Sequence, residues 1–503
     1  MKDIIVCIDG TSNATEGAPA LPSPSSLVKL RRKIKNWFSK KSTTRVVPDR
    51  QLPSNVLLFV RALAKRDALN APQIVEYIRG VGTDDSATGL GRIRASMKGT
   101  GLSQIVQDAY GFLTNNCERD DHVYILGFSR GAAAARSLSG LTELFGVLPP
   151  SLMDRFPDAW DYYNTSPDDR KLDLLCCQSP ELGAIAEEGD RLRRDHESEC
   201  AAWSREPIGR LAEYPHAPIF RNSSETGSLR AGFPDTQYVP LPLHFVGVWD
   251  TVFEAEGEGF HEGRLAWNVG TAYQALAVHE VRANFQPVLW ETSCRHQEVI
   301  QTWFTGAHSD IGGGNGNIAL SSITLEWMIR RARESCRVHR GPQLEFNAAF
   351  LAAVSKPDIF VPISYPQNDL LWRAVAHKYP PGTRQIGMTE HRWLGRTKHR
   401  PPLEFRHLSI EERVPGRPDY CSEWNTILSR ADEMSEQSLL PEEDGNIIAL
   451  LMHLQNCGVT DPDVDLQLAY LLCDVNGMDT AVNAGAREDV TVDEIIARYI
   501  RYL

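Results

Sequence analysis

The sequence predicts an α/β protein with a mostly parallel sheet and helices on both of its faces. Short, wholly apolar runs recur along the chain, as expected of strands that are buried on both faces of a parallel sheet. Segments with apolar residues at helical spacing alternate with these runs. This alternation is typical of repeated strand–helix–strand units.

The N-terminal part of the chain supplies three strands and the helices between them. The predicted strands are residues 4–8, 74–78 and 123–126, which are mostly apolar or β-branched. The predicted helices are residues 55–64 and 102–113. The sheet therefore begins at the N-terminus.

Residues 149–240 differ in character from the segments around them. They are rich in charged residues, proline and aromatic residues and have weak periodicity, so we interpret them as an insertion or cap region. Regular α/β character then returns. We predict strands at residues 243–249 and 299–304 and helices at residues 270–283 and 321–333.

Two domains are predicted. Residues 1–425 form the α/β body with its insertion, and residues 426–503 form a small helical C-terminal module. Within the module, apolar residues recur at helical spacing in three segments, residues 446–457, 464–475 and 491–503. One hypothesis is that the module recruits a partner or drives oligomerisation. The alternative is a lid or stabilising cap on the body.

Composition and charge exclude several classes of protein. The 503 residues carry a formal net charge of −12, which argues against a nucleic-acid partner. The 10 cysteines have neither zinc-ligand nor disulfide spacing, so we expect no metal site and a reducing compartment. Neither a signal-peptide pattern nor a membrane-spanning run occurs. We predict synthesis in the cytoplasm, with a signal-independent secretion system as the route of any export.

One segment is strongly basic in this acidic chain. Residues 27–47 combine positive charges with apolar residues at helical spacing and predict a basic amphipathic helix. Such a helix binds anionic membrane surfaces, and the alternative is a surface helix that packs on the body. The candidate membrane contacts are Lys29, Arg31, Arg32, Ile34, Trp37 and Phe38.

A glycine-bounded serine follows the third predicted strand. Gly127 and Gly131 flank Ser129 at two residues on either side, and an alanine-rich helix over residues 132–141 comes next. A nucleophile elbow needs small residues at these positions because its sharp strand-to-helix turn leaves no room for side chains. The context predicts Ser129 as a nucleophile in an α/β-hydrolase fold. The alternative is a serine in an ordinary turn.

An acid and a base follow in the order that this fold requires. Asp250 comes directly after the strand at residues 243–249, and His308 follows the strand at residues 299–304. The carboxyl ends of parallel strands meet at one edge, so both side chains could converge on Ser129. Asp310 is the rival acid, although a supporting role in the glycine-rich turn fits it better.

Acyl transfer also needs backbone N–H groups for the developing oxyanion. Arg130, directly after the serine, would supply one donor, and Gly10 or Thr11 at the end of the first strand would supply the other. Asp9 would support that turn. The alternative is an ordinary Asp-Gly turn, and this chemistry requires no cofactor and no metal.

Several separated motifs stand in a characteristic order. They are Asp9-Gly10-Thr11, the Gly-Val-Gly-Thr at 80–83, the Gly-Phe-Ser-Arg-Gly-Ala at 127–132 with Ala135-Arg136, the Trp-Asp-Thr-Val at 249–252, then Ala277, Glu280 and Arg282 of the helix predicted next, and the glycine-rich 306–314. With these motifs the sequence resembles the type VI secretion phospholipase-effector family, whose α/β-hydrolase catalytic domain was formerly a domain of unknown function. The resemblance spans residues 4–333, becomes weaker up to about residue 413, and does not cover the helical tail.

The resemblance implies a specific function. It implies a Ser129-Asp250-His308 triad acting on phospholipid acyl esters, delivery into rival bacteria, and a cognate immunity protein in the producer. A third hypothesis keeps the triad but transfers the acyl group to an acceptor other than water.

Overall fold

The structure is a computed structural model. It describes residues 2–10, 52–80, 101–118, 121–165, 169–203, 238, 240–252, 265–280, 282, 285–290, 297–314, 317–339, 344–364, 384, 392–393, 396–397 and 404–406. The basic segment at 27–47, Thr11 and the predicted C-terminal helices lie outside the described residues. The predictions made for them stay predictions.

Within the described ranges, seven parallel strands form the central sheet. They are β1 (Asp3–Ile8), β2 (Gln73–Ile78), β3 (His122–Phe128), β4 (Leu243–Trp249), β5 (Val269–Ala277), β6 (Glu298–Phe304) and β9 (Glu404–Arg406), and β7 (Arg392–Trp393) and β8 (Arg396–Thr397) form a separate antiparallel pair. The strand order is β2-β1-β3-β4-β5-β6-β9. The chain therefore reverses direction across the sheet between β1 and β3, which is where sheets of this kind form their ligand crevice.

Helices cover both faces of the sheet. They are α1 (Asn55–Ala62), α2 (Leu102–Asn116), α3 (Arg130–Phe145), α4 (Phe156–Asn164), α5 (Leu172–Gln178), α6 (Pro180–Trp203), α7 (His308–Gly312), α8 (Ala319–His339) and α9 (Ala348–Val354). Alternate residues of β1 enter two separate cores: Ile4 and Val6 pack with α2 to α6, and Ile5 and Cys7 pack with α1, α8 and α9. The predicted α/β architecture with helices on both faces is confirmed.

The predicted helix at residues 270–283 is wrong. This segment is β5, which pairs with β4 on one side and β6 on the other, and all nine of its residues are buried. Its alanines, leucine and glutamine favour a helix in isolation. Burial between two strands overrides that preference, because a central parallel strand needs no alternation of polar and apolar residues.

The described part of the insertion is helical. Helices α4, α5 and α6 contain most of the described residues between 156 and 203, and a 3₁₀ turn at Pro150–Arg155 precedes them. They contact the C-terminal half of α3: Gly140 meets the Tyr163 ring, and Gly189 lies against the backbone of Leu144. That end of α3 is the one away from Ser129. The prediction that residues 149–240 are an insertion or cap stays a prediction.

Two chemical expectations can be compared with the described residues. Four cysteines, Cys7, Cys117, Cys176 and Cys177, are free thiols. The same part of the chain contains no group of three or more side chains placed to hold a metal ion. None of its helices combines the length and the apolar character needed to cross a membrane.

Candidate active site

The turn after β3 holds Ser129 in an uncommon backbone conformation. Its φ of 58° and ψ of −121° lie outside the favoured regions for a non-glycine residue, at a cost of roughly 1–3 kcal/mol. Strand β3 ends at Phe128 and α3 begins at Arg130, so the serine alone forms the turn. Its N–H donates to the carbonyl of Trp249 at 3.0 Å, which ties the turn to the end of β4.

The two flanking glycines are required by close backbone contacts. A β-carbon on Gly127 would lie 2.4 Å from the carbonyl oxygen of Gly131. A β-carbon on Gly131 would lie 2.3 Å from the carbonyl oxygen of Ile8. Backbone atoms cannot yield as a flexible side chain does, so the turn needs glycine at both positions.

We expect Gly131→Ala to destabilise the protein by about 1–3 kcal/mol, because the added methyl group forces the elbow away from β1. Thermal unfolding and the rate of Ser129 labelling by a fluorophosphonate should both fall. Gly111→Ala in α2 is the matched control, since its β-carbon would find only the Met153 methyl group, at 3.7 Å. An unfolding temperature of Gly131→Ala equal to that of Gly111→Ala would contradict the expectation.

Three side chains from three strand ends form a continuous chain of hydrogen bonds. The Oγ of Ser129 lies 2.8 Å from Nε2 of His308, and Nδ1 of the same ring lies 2.6 Å from Oδ2 of Asp250. The three side chains follow β3, β6 and β4, respectively. All three residues are buried. The structure thus brings together the predicted nucleophile, base and acid, separated by 179 and 58 residues of sequence.

Asp250 is held from several directions. It has φ of 44°, its N–H donates to the Ala275 carbonyl at 2.7 Å, and the N–H of Ala277 donates to Oδ1 at 3.0 Å. The guanidinium of Arg384 donates to both carboxylate oxygens. Burial acts to raise the pKa of Asp250, but the charge of Arg384 and the bond to His308 outweigh it and hold the pKa well below its usual range. The carboxylate is therefore ionised.

Two aromatic rings enclose the imidazole. The Phe128 ring lies 4.8 Å from the His308 ring between centroids, and the Phe285 ring lies 5.4 Å away, edge to face. Burial lowers the pKa of His308 below its ordinary 6.5, and the hydrogen bond to Asp250 opposes this only in part. The ring is therefore neutral near pH 7, as a general base must be.

The pH dependence of activity follows from the lowered pKa of His308. A base must be unprotonated to act, so the acidic limb of kcat/KM is expected to have its midpoint below the ordinary histidine value of 6.5. Ester hydrolysis measured over a series of buffers would give the midpoint, with thermal unfolding at each pH to separate inactivation from titration. A midpoint above 6.5 in folded protein would be the opposite sign and would refute the expectation.

The turn after β1 is organised around one carboxylate. Oδ2 of Asp9 accepts hydrogen bonds from Ser54 Oγ and Tyr77 Oη, both at 2.6 Å. Oδ1 accepts the N–H of Gly10 at 2.6 Å. The turn also adjoins the elbow, since a β-carbon on Gly131 would lie 2.5 Å from the Asp9 carbonyl oxygen. Asp9 thus fixes the backbone beside Ser129.

This arrangement bears on the predicted oxyanion donors. Arg130 is the first residue of α3, and N–H groups in the first turn of a helix have no acceptor within the helix. The N–H of Gly10 donates instead to the Asp9 carboxylate. Thr11, the alternative second donor, lies outside the described residues. The Gly10 N–H thus has a carboxylate acceptor in the structure, and the role predicted for Thr11 stays a prediction.

Asp310, the rival acid, has other partners. Its Oδ2 accepts the N–H of Ala307 at 3.0 Å and the N–H of Ser364 at 2.9 Å. The Nδ1 of His308 contacts Asp250 instead. Asp310 therefore orders the turn that begins α7, beside His308.

Five residues of the site had no role predicted for them. Arg384 and Phe285 carried no motif, and Phe128 was placed only as part of the elbow. Glu280 and Arg282 form a buried ion pair at 2.7 Å, and a Glu280 oxygen accepts the N–H of His308 at 3.3 Å. The family motif named the last two residues, but no pattern in the sequence relates Arg384 to Asp250.

Three known proteins are similar to parts of this chain. An uncharacterized protein of Saccharomyces cerevisiae, YEL023C, is 31% identical over 121 residues, which cover 22% of this chain and 17% of the yeast protein. A Tle1 effector solved bound to the VgrG spike of the type 6 secretion system is 18% identical with a TM-score of 0.29, over 62% of this chain and 51% of that one. An uncharacterized protein of Pseudomonas aeruginosa is 14% identical with a TM-score of 0.31, over 93% and 64%. The chain thus spans less than two thirds of each of these proteins.

The family comparison covers more of the chain. The model described as "T6SS, Phospholipase effector Tle1-like, catalytic domain" matches residues 2–331 of 503. Ser129, Asp250 and His308 all lie within the matched residues, and Arg384 lies beyond them. The chain belongs to the Tle1-like family of type VI secretion phospholipase effectors, whose catalytic domain it contains.

Proposed function

We propose that this protein is a serine carboxylester hydrolase that cleaves phospholipid acyl esters. The observation that supports it is the continuous hydrogen-bonded series from Ser129 through His308 to Asp250. The strained turn at Ser129 supports it as well, because strain of this kind is retained where function requires it.

The reaction takes place in two steps. His308 accepts the proton of the Ser129 hydroxyl as Oγ attacks the ester carbonyl, and the N–H of Arg130 stabilises the oxyanion. The imidazolium of His308 then protonates the departing alkoxide, which leaves an acyl-serine. In the second step His308 takes a proton from water as the water oxygen attacks the acyl-serine. The imidazolium then returns this proton to Ser129 Oγ as the bond between Oγ and the acyl group breaks, and the fatty acid is released. Asp250 stays ionised throughout and stabilises the imidazolium.

Family membership supports the choice of substrate. An effector family of phospholipases acts on membrane lipids, and we extend that substrate class to this chain. We also propose export by a type VI secretion system, a delivery protein, and an immunity protein in the producing cell. The same proposal includes membrane binding by residues 27–47 and a domain boundary between residues 425 and 426.

One experiment tests the proposal directly. Full-length protein is incubated with a mixed phospholipid vesicle in ¹⁸O-water, and the products are analysed by mass spectrometry. We expect lysolipid and a fatty acid that carries ¹⁸O, since water performs the deacylation. Protein treated beforehand with a fluorophosphonate is the control. Acyl chains moved to another acceptor without ¹⁸O would indicate a transferase, and unchanged lipids would refute the substrate class.

A further inference from the structure

One arginine is hydrogen-bonded to the carboxylate of the triad. The side chain of Arg384 is fully buried, and its guanidinium makes five hydrogen bonds. Nη1 donates to Asp250 Oδ1 at 2.5 Å and to the Ala277 carbonyl at 2.9 Å. Nη2 donates to Asp250 Oδ2 at 2.9 Å, and Nη2 and Nε both donate to the Phe285 carbonyl. The planar fork therefore contacts both oxygens of the triad carboxylate at once.

These bonds determine how Asp250 is oriented. Oδ2 accepts hydrogen bonds from His308 Nδ1 and Arg384 Nη2. Oδ1 accepts hydrogen bonds from Arg384 Nη1 and the N–H of Ala277. Two of the four bonds thus come from one side chain. Because the fork is rigid, the plane of the carboxylate cannot rotate without breaking one of them. Oδ2 is thereby kept directed at the imidazole.

The same bonds determine the charge of the site. A buried carboxylate with no cation beside it tends to take up a proton, since its charged form is poorly solvated. The other charged groups facing His308 are Glu280 and Arg282, and they are paired with one another at 2.7 Å. Among the described residues, Arg384 is the cation that contacts Asp250 directly.

We propose that Arg384 is a positioning residue of the active site, which holds Asp250 in the orientation and the ionised form that His308 requires. This inference rests on the proposed function only in taking Ser129, His308 and Asp250 as the reacting groups. It adds a side chain from beyond the residues matched by the family model, 134 positions after Asp250. The carboxylate of Asp250 therefore has all its partners only when Arg384, from this later part of the chain, is in place.

Two substitutions separate charge from geometry. Arg384→Met removes both, and Arg384→Lys keeps a positive charge but loses the two-oxygen contact. Arg331→Met is the matched control, because Arg331 is also a buried arginine paired with a carboxylate, that of Glu334 at 2.8 Å, but it does not contact the triad. Each full-length variant is first checked for folding by circular dichroism and thermal unfolding.

The first measurement is the rate at which a fluorophosphonate labels Ser129, as a function of pH. We expect Arg384→Met to label about 100-fold more slowly at alkaline pH, because the acid no longer holds the base in place. Its acidic limb should also move up by about one pH unit or more, because loss of a cation favours protonation of the Asp250–His308 pair. Arg384→Lys should lose rate while its limb stays nearer to the wild-type position. Arg331→Met should keep the wild-type limb.

The second measurement does not depend on activity. Nitrogen-15 NMR of histidine-labelled protein follows the titration of His308, assigned by comparison with His308→Gln. We expect the midpoint of His308 to rise in Arg384→Met and to stay unchanged in Arg331→Met. A folded Arg384→Met with wild-type labelling and a wild-type midpoint would overturn the proposal. If Arg384→Met does not fold, wild-type labelling by Arg384→Lys would overturn it instead.

The two proposals can fail separately. Wild-type protein that labels with the probe but leaves phospholipids intact would refute the substrate class, and the Arg384 comparison would remain decisive. Wild-type protein that does not label would refute the nucleophile. In that case the His308 midpoint in Arg384→Met still decides whether the arginine controls the ionisation of the pair.

Discussion

Replacing Ser129 with alanine is expected to lower kcat by about 10⁶-fold, the loss typical when a triad nucleophile is removed. The Oγ is the atom that would form the acyl-enzyme, and its hydroxyl is the group that donates a hydrogen bond to Nε2 of His308. The KM should change little, because the alanine removes only one small group from the site. The stability of Ser129→Ala should equal or exceed that of wild type. The turn keeps its two flanking glycines, and the substitution removes a buried hydroxyl.

The measurement compares ester hydrolysis and fluorophosphonate labelling of wild type, Ser129→Ala, His308→Ala and the double variant. Triad members act as a unit, so the double variant should be no slower than either single variant by more than a small factor. Ser137→Ala, a buried serine two turns further along α3, is the matched control and should label at the wild-type rate. Labelling that persists in Ser129→Ala, or losses that multiply in the double variant, would disprove this assignment of the nucleophile.

Much of the sheet could be predicted from the sequence because local pattern and tertiary environment agree there. Strands β1, β3 and β4 are apolar runs bounded by turn residues, and the structure confirms each within one or two residues. The elbow was predictable for the same reason, since two glycines and an alanine-rich helix are local signals. Asp250 and His308 followed from strand ends, which topology places along one edge.

The failures have physical causes. Segment β5 contains residues that favour a helix, and its strand conformation depends on β4 and β6, which no local window contains. Arg384 lies 134 positions from its partner, and a single arginine has no periodicity or spacing to mark it. The helices α4, α5 and α6 of the insertion were not predicted, because the periodicity of apolar residues is weak there.

Asp250→Asn is expected to lower kcat by about 10⁴-fold, because the amide can present a donor to Nδ1 and stabilise the tautomer in which Nε2 is protonated. That tautomer cannot accept the proton of Ser129. The substitution also leaves the buried guanidinium of Arg384 without its counter-charge, so we expect a loss of about 3–5 kcal/mol in stability.

Catalysis and stability can be separated by a second substitution. Asp250→Asn combined with Arg384→Met removes the unpaired buried charge, so thermal unfolding should recover part of the lost stability. Activity should not recover, because the amide still favours the wrong tautomer of His308. Chemical denaturation and single-turnover ester hydrolysis of the two single variants and the double variant give both quantities. If activity returned together with stability, Asp250 would serve the fold and not the proton transfer. The loss of activity in Asp250→Asn would then have come only from the unpaired buried charge of Arg384.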